Sequence, residues 1–94
     1  MPRTSIKKFS RDIPDNFCFW TSDGRTLRNL ADLANALREM NDGVFKHHVN
    51  VERNDFAKWI EEILGEPVFA RKMRTMKSRL TALRSVEAEI KKYQ

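Results

Sequence analysis

An all-α domain of three or four helices, with a short extended N-terminal segment and a long C-terminal helix, is what this 94-residue sequence predicts. Three observations carry that expectation. Leu27, Leu30, Leu33, Ala34, Leu37 and Met40 recur at three- and four-residue steps, making one apolar stripe. Phe56, Trp59, Ile60, Ile63 and Leu64 make a second. Residues 68–94 hold no Gly or Pro, and Phe69, Met73, Met76, Leu80, Leu83 and Ile90 follow one another in heptad-like steps.

Residues 1–16 show no periodicity and carry Pro2 and Pro14, which predicts a basic irregular arm anchored by Ile6, Phe9 and Ile13. A single helical domain is expected over 17–94. It opens with Phe17-Cys18-Phe19-Trp20, four bulky residues suited to a short extended segment. Thr21-Ser22-Asp23-Gly24 is a turn signal, with Gly24 free to take positive φ. A tiny hairpin fits here; nothing downstream supports a larger sheet.

Thr26 is the candidate cap of the first helix, and Asn41-Asp42-Gly43 closes it. Residues 44–49 suit a single helical turn or a short extended piece equally well. Asn54 reads as an N-cap, with Asp55 at the positive end of the helix dipole and Gly65 as the stop. Pro67 fits the first position of a last, basic helix over 67–94. Unbroken, that helix is roughly 40 Å long. The rest of the chain makes a body roughly 28 Å across. The final turns are therefore expected to overhang or to pair, with Glu87 as a polar interruption of the seam.

Composition narrows the class. Apolar residues at 40% and charged residues at 33% give a globular balance, not a disordered one. Cys18 is the only cysteine, so no intramolecular disulfide can form. No apolar run follows the N-terminal basic residues and none is long enough for a membrane span, so a cytoplasmic protein is expected. The net charge of +5 is unevenly spread: +4 over 1–11, −5 over 12–66 and +6 over 67–94.

No nucleophile elbow, phosphate loop, dinucleotide fingerprint or zinc-helix motif is present. Neither an enzyme nor a cofactor or small-molecule substrate is expected. His47 and His48 are adjacent, which sends their side chains in different directions on a helix or a strand. They suit one core imidazole and one solvated imidazole better than a shared metal ion, so no metal ligands are expected. Glu61 and Glu62 read as solvated charge.

Two binding surfaces are expected instead. Leu80, Leu83, Val86 and Ile90 would leave an exposed apolar edge on an overhanging helix, which favours a protein partner or self-association as a homodimer. Against this, a break near Thr81 or Ser85 would fold that edge onto its own domain. Arg71, Arg74, Lys77 and Arg84, with Ser78, lie off the seam and could meet phosphates. Lys7 and Lys8, with Arg3 and Arg11, could add to them from the arm. That second surface makes a nucleic-acid or ribosome-associated protein the alternative, against the bland reading of ordinary surface cations.

Phe17-x-Phe19, Asp23-Gly24, Asn29-Leu30 with Leu33 and Leu37, Phe45 with His48-Val49, then Asn54-Asp55-Phe56-x-x-Trp59-Ile60 and Leu64-Gly65 form a pattern over roughly residues 17–70. It resembles a small archaeal and bacterial domain family of unknown function. The resemblance implies a compact helical fold and a prokaryotic cytoplasmic home, and brings no activity or ligand. Physically, Phe17, Phe19, His48, Asn54, Phe56, Trp59, Ile60 and Gly65 read as folding determinants. The basic tail lies mostly outside the pattern.

Overall fold

The computed structural model describes residues 13–92. Arg3, Ile6, Lys7, Lys8, Phe9 and Arg11 of the expected arm lie outside the described residues. The described residues are mostly helical, but they form five α-helices where the sequence pattern suggests three or four.

Pro14 starts a 3-10 turn over Asp15–Phe17, closed by the Phe17 N–H on the Pro14 carbonyl at 2.9 Å. Phe17 therefore ends a turn instead of opening an extended segment. Strand β1 (Phe19–Trp20) pairs antiparallel with β2 (Thr26–Leu27), with Phe19 opposite Leu27 and Trp20 opposite Thr26. Gly24 closes the connecting turn at φ +91°, a conformation that favours glycine.

Because Thr26 belongs to β2, the first helix begins later than the apolar stripe suggests. Helix α1 (Leu30–Glu39) is capped by Asn29, whose side chain accepts the Asp32 N–H at 2.8 Å. Asp32 reaches back to the Arg28 N–H at 2.9 Å, so two N–H groups are satisfied around one start. The Asn41-Asp42-Gly43 triplet does not simply close this helix. Asn41 caps a new one, α2 (Asp42–His48), by accepting the Val44 N–H at 2.9 Å. Residues 44–48 thus resolve as helix, and Val49 as an extended residue after it. Helix α3 (Asp55–Glu62) starts on Asn54, which accepts the Ala57 N–H at 3.0 Å. It ends where Gly65 turns to φ +70° and the Glu66 N–H reaches the Ile60 carbonyl.

The expected long C-terminal helix is two helices. Helix α4 (Pro67–Met73) opens on Pro67, and α5 (Arg79–Lys91) follows after a break at 74–78. No Pro or Gly causes it. The Thr75 hydroxyl bonds the Lys72 carbonyl at 2.7 Å, and the backbone tightens into three-residue turns at Thr75 and Met76. Ser78 then leaves helical geometry and caps α5 by accepting the Thr81 N–H at 3.3 Å. The break lies N-terminal to Thr81 and Ser85, the alternatives visible in the sequence.

The break turns the chain back. Helix α5 packs along α1, and α4 packs against α3. No turn overhangs in the manner of an unbroken rod: the molecule's longest dimension is 37 Å, less than the roughly 40 Å of that rod alone. Leu30, Leu33, Leu37, Phe56, Ile60, Leu64, Met73 and Val86 fill the interior. A ring cluster joins the hairpin to the helices, with Phe19 and Phe56 centroids 5.0 Å apart and Phe19 and Trp59 5.9 Å apart. Among the described residues, no helix is long and apolar enough to cross a membrane.

Candidate functional site

The apolar edge expected to serve an interface is divided by the fold. Val86 is fully buried and Leu83 is 8% exposed, both inside the core of one chain. Ile90 packs half-buried against the same core. Only Leu80, at 51% exposure, faces outward. The physical reason is the break at 74–78, which rotates the seam so that α5 lays its apolar face on α1. Glu87, the polar interruption, sits at the rim of that contact and takes the Arg38 guanidinium at 2.6 Å. Among the described residues, no continuous exposed seam remains.

The cations divide just as sharply. Most arginines are held by carboxylates of the same chain: Arg25 by Glu39 at 2.7 Å, Arg28 by Asp15 at 3.5 Å and Arg53 by Asp55 at 3.5 Å. Arg79 pairs with Asp42 at 3.1 Å and also donates to the Leu37 carbonyl at 2.8 Å, tying the start of α5 to the end of α1. Arg74, an expected phosphate contact, is engaged by Glu61 at 2.8 Å. Ser78 is committed to the cap. Arg71, Lys77 and Arg84 are exposed and have no carboxylate partner among the described residues; Lys72 and Lys91, which the sequence reading did not single out, share that state. Arg84 and Lys91 stand one heptad apart on the outward side of α5. Lys7 and Lys8 lie outside the described residues.

A second feature adjoins Lys77. Val49 and Asn54 form an antiparallel bridge that closes the loop between α2 and α3. The loop is braced from within. Asn50 and Arg53 exchange backbone hydrogen bonds, and the Asn50 carboxamide bonds the Lys46 and His47 carbonyls and the Glu52 N–H. The Arg53 guanidinium takes the His47 carbonyl at 2.7 Å. At the tip of this held loop Val51 is fully exposed. Lys46, Val49, Asn50, Val51 and Lys77 line a cleft of about 320 Å³. Sequence reasoning missed it, because Lys46 and Lys77 are 31 positions apart and only the backward turn after α4 brings them together.

The residues read as folding determinants occupy structural positions. His48 is buried; its Nε2 accepts the Ser22 N–H at 3.0 Å, so its Nδ1 carries the proton and donates to Asp55 at 2.9 Å. Its ring meets Phe19 and Phe56 at 5.2 and 5.3 Å. His47 is exposed. The buried Trp59 donates from its indole N–H to the Phe17 carbonyl at 2.9 Å. Phe17 therefore acts through its backbone while its ring stays half-exposed. Asn54 adds to its cap a bond from its carboxamide to the Met73 carbonyl, fastening α3 to the end of α4.

Two titrations are displaced in and beside the hairpin turn. The Asp23 carboxyl is held below its ordinary value, chiefly by the hydrogen bond from the Thr21 hydroxyl, with the Arg25 guanidinium adding to it and burial opposing it. The Arg25 guanidinium is pushed up by its hydrogen bonds to Glu39 and then Asp23. No protein-family model matches the chain, and neither a curated protein nor a solved structure shows significant similarity to it.

Proposed function

We propose that this chain is a non-catalytic interaction module that docks an acidic partner through the outward cations of α4, the 74–78 connection and α5. One observation carries the reading: the fold spends most of its arginines on internal carboxylates yet leaves Arg71, Lys72, Lys77, Arg84 and Lys91 without such a partner among the described residues. Unpaired cations of one sign, set on consecutive segments, raise the local concentration of anionic groups and speed encounter with them. Self-association through Leu83 and Val86 loses its physical basis, since both are already covered.

A nucleic-acid or ribosomal partner is a second reading, favoured by the two free guanidinium groups of Arg71 and Arg84, whose planar forks suit phosphate oxygens. Both readings share a test. Structured RNA and polyglutamate are titrated against the protein and against a variant carrying Arg71→Glu, Lys72→Glu and Arg84→Glu. Loss of binding in that variant is expected, together with retention in a control carrying Arg25→Gln and Arg28→Gln, whose cations are paired internally. If neither polymer binds the unaltered protein at low salt, the proposal fails.

A further inference from the structure

We infer that the cleft between Lys46 and Lys77 receives an acidic segment of a partner protein, with an aliphatic side chain against Val49 and Val51 and carboxylates on the two ammonium groups. The inference rests on the acidic-partner reading and names the partner's class.

Three properties of the cleft point this way. Its walls are apolar: Val49 forms the buried floor, Val51 the exposed tip, and lysine stems add methylene surface while their charged heads reach water. Its charge is one-sided. Lys46 and Lys77 have no carboxylate partner among the described residues, and Glu52, next to Val51 in the loop, does not line the cleft. Its shape is held in advance. The Val49–Asn54 bridge and the Asn50 and Arg53 hydrogen bonds fix the loop, so little ordering remains to oppose binding. At about 320 Å³ the cleft lies at the small end of the range for ligand sites, roughly 300–1,000 Å³, and suits one side chain with its flanks.

The same features disfavour a nucleotide base. No aromatic ring lines the cleft for stacking. The carboxamide of Asn50, the one lining side chain that offers both a donor and an acceptor to a base edge, is engaged on both its oxygen and its nitrogen.

The test uses a labelled peptide with one leucine flanked by glutamates, the same peptide with serine for leucine, and a uridine oligonucleotide. Fluorescence anisotropy gives affinity, and methyl NMR shifts of Val49 and Val51 report the cleft. The leucine peptide is expected to bind and move both methyl signals, and the serine peptide to bind about fivefold more weakly. Val51→Ser should produce the same loss with unchanged thermal unfolding, and Lys46→Gln with Lys77→Gln a loss of about tenfold. Equal binding of the two peptides, or no effect of Val51→Ser, overturns the cleft assignment and leaves the broader basic surface standing. An oligonucleotide that shifts Val51 and displaces the peptide also overturns it, in favour of nucleic acid. Failure of every probe to bind at low salt removes both the cleft and the reading beneath it.

Discussion

The guanidinium of Arg79 lies 2.8 Å from the carbonyl oxygen of Leu37, so the first residue of the last helix satisfies the end of the first. Helix α1 leaves its final carbonyls without intrahelical partners, and a cation there also meets the negative end of the helix dipole. The same guanidinium takes Asp42, in the first turn of α2. Arg79→Ala should therefore destabilise the protein by about 1–3 kcal/mol, more than an ordinary surface change. Arg79→Lys should recover part of the loss, because it keeps the charge but not the two-way reach. Urea unfolding of the three proteins measures both steps.

Leu80 and Leu83 belong to one sequence pattern and to two different environments. Leu83→Ala should cost about 2–4 kcal/mol, since it opens a void between α5 and α1. Leu80→Ala should stay within about 0.5 kcal/mol. Sedimentation of each variant separates folding from association. Should Leu83→Ala split an oligomer while leaving unfolding unchanged, the seam would lie between chains and not within one.

His48 and His47 should differ in the same manner. His48→Ala removes an acceptor for the Ser22 N–H, a donor to Asp55 and two ring contacts, and should cost about 1–3 kcal/mol. His47→Ala, at an exposed position, should be close to neutral. Chemical denaturation of the two variants decides the matter, and a neutral His48→Ala would contradict the core placement.

Asp23 gives stability a pH dependence of known sign. Its folded pKa lies below its unfolded one, chiefly through the Thr21 hydroxyl, so on acidification the unfolded chain takes up the proton first. The carboxylate's contribution is present above the ordinary carboxylate value of about 3.9 and is lost as pH falls through the lower folded value. The stability gap between the unaltered protein and Asp23→Asn should therefore be constant near neutrality and shrink below about pH 4. A gap that widens on acidification would reverse the assignment.

Caps and apolar faces were legible in the sequence because both are local. Asn54 caps where it should, Gly65 turns with positive φ, and Phe56, Trp59 and Ile60 share one buried face. The break after α4 was harder to see. Thr75 and Ser78 are weak signals beside proline or glycine, and a heptad-like pattern continues through them. Asn29 is a better cap than Thr26, but the cross-strand pairing that takes Thr26 depends on Trp20 across the turn, and a stripe of leucines does not reveal it. The Lys46–Lys77 cleft had no sequence signal at all, since it exists only after the chain has turned back.

In the proposed role, the cations that the turned-back C-terminal third leaves without a carboxylate partner among the described residues meet an acidic partner. The salt dependence of affinity for a structured RNA or an acidic protein measures it most directly. With about four phosphate contacts, log affinity for the RNA should fall against log salt with a slope of about −3 to −4, and each neutralised free cation should reduce its magnitude by about one. Binding that is flat in salt, or a slope unchanged when Arg71, Lys72 and Arg84 are neutralised, would contradict that role.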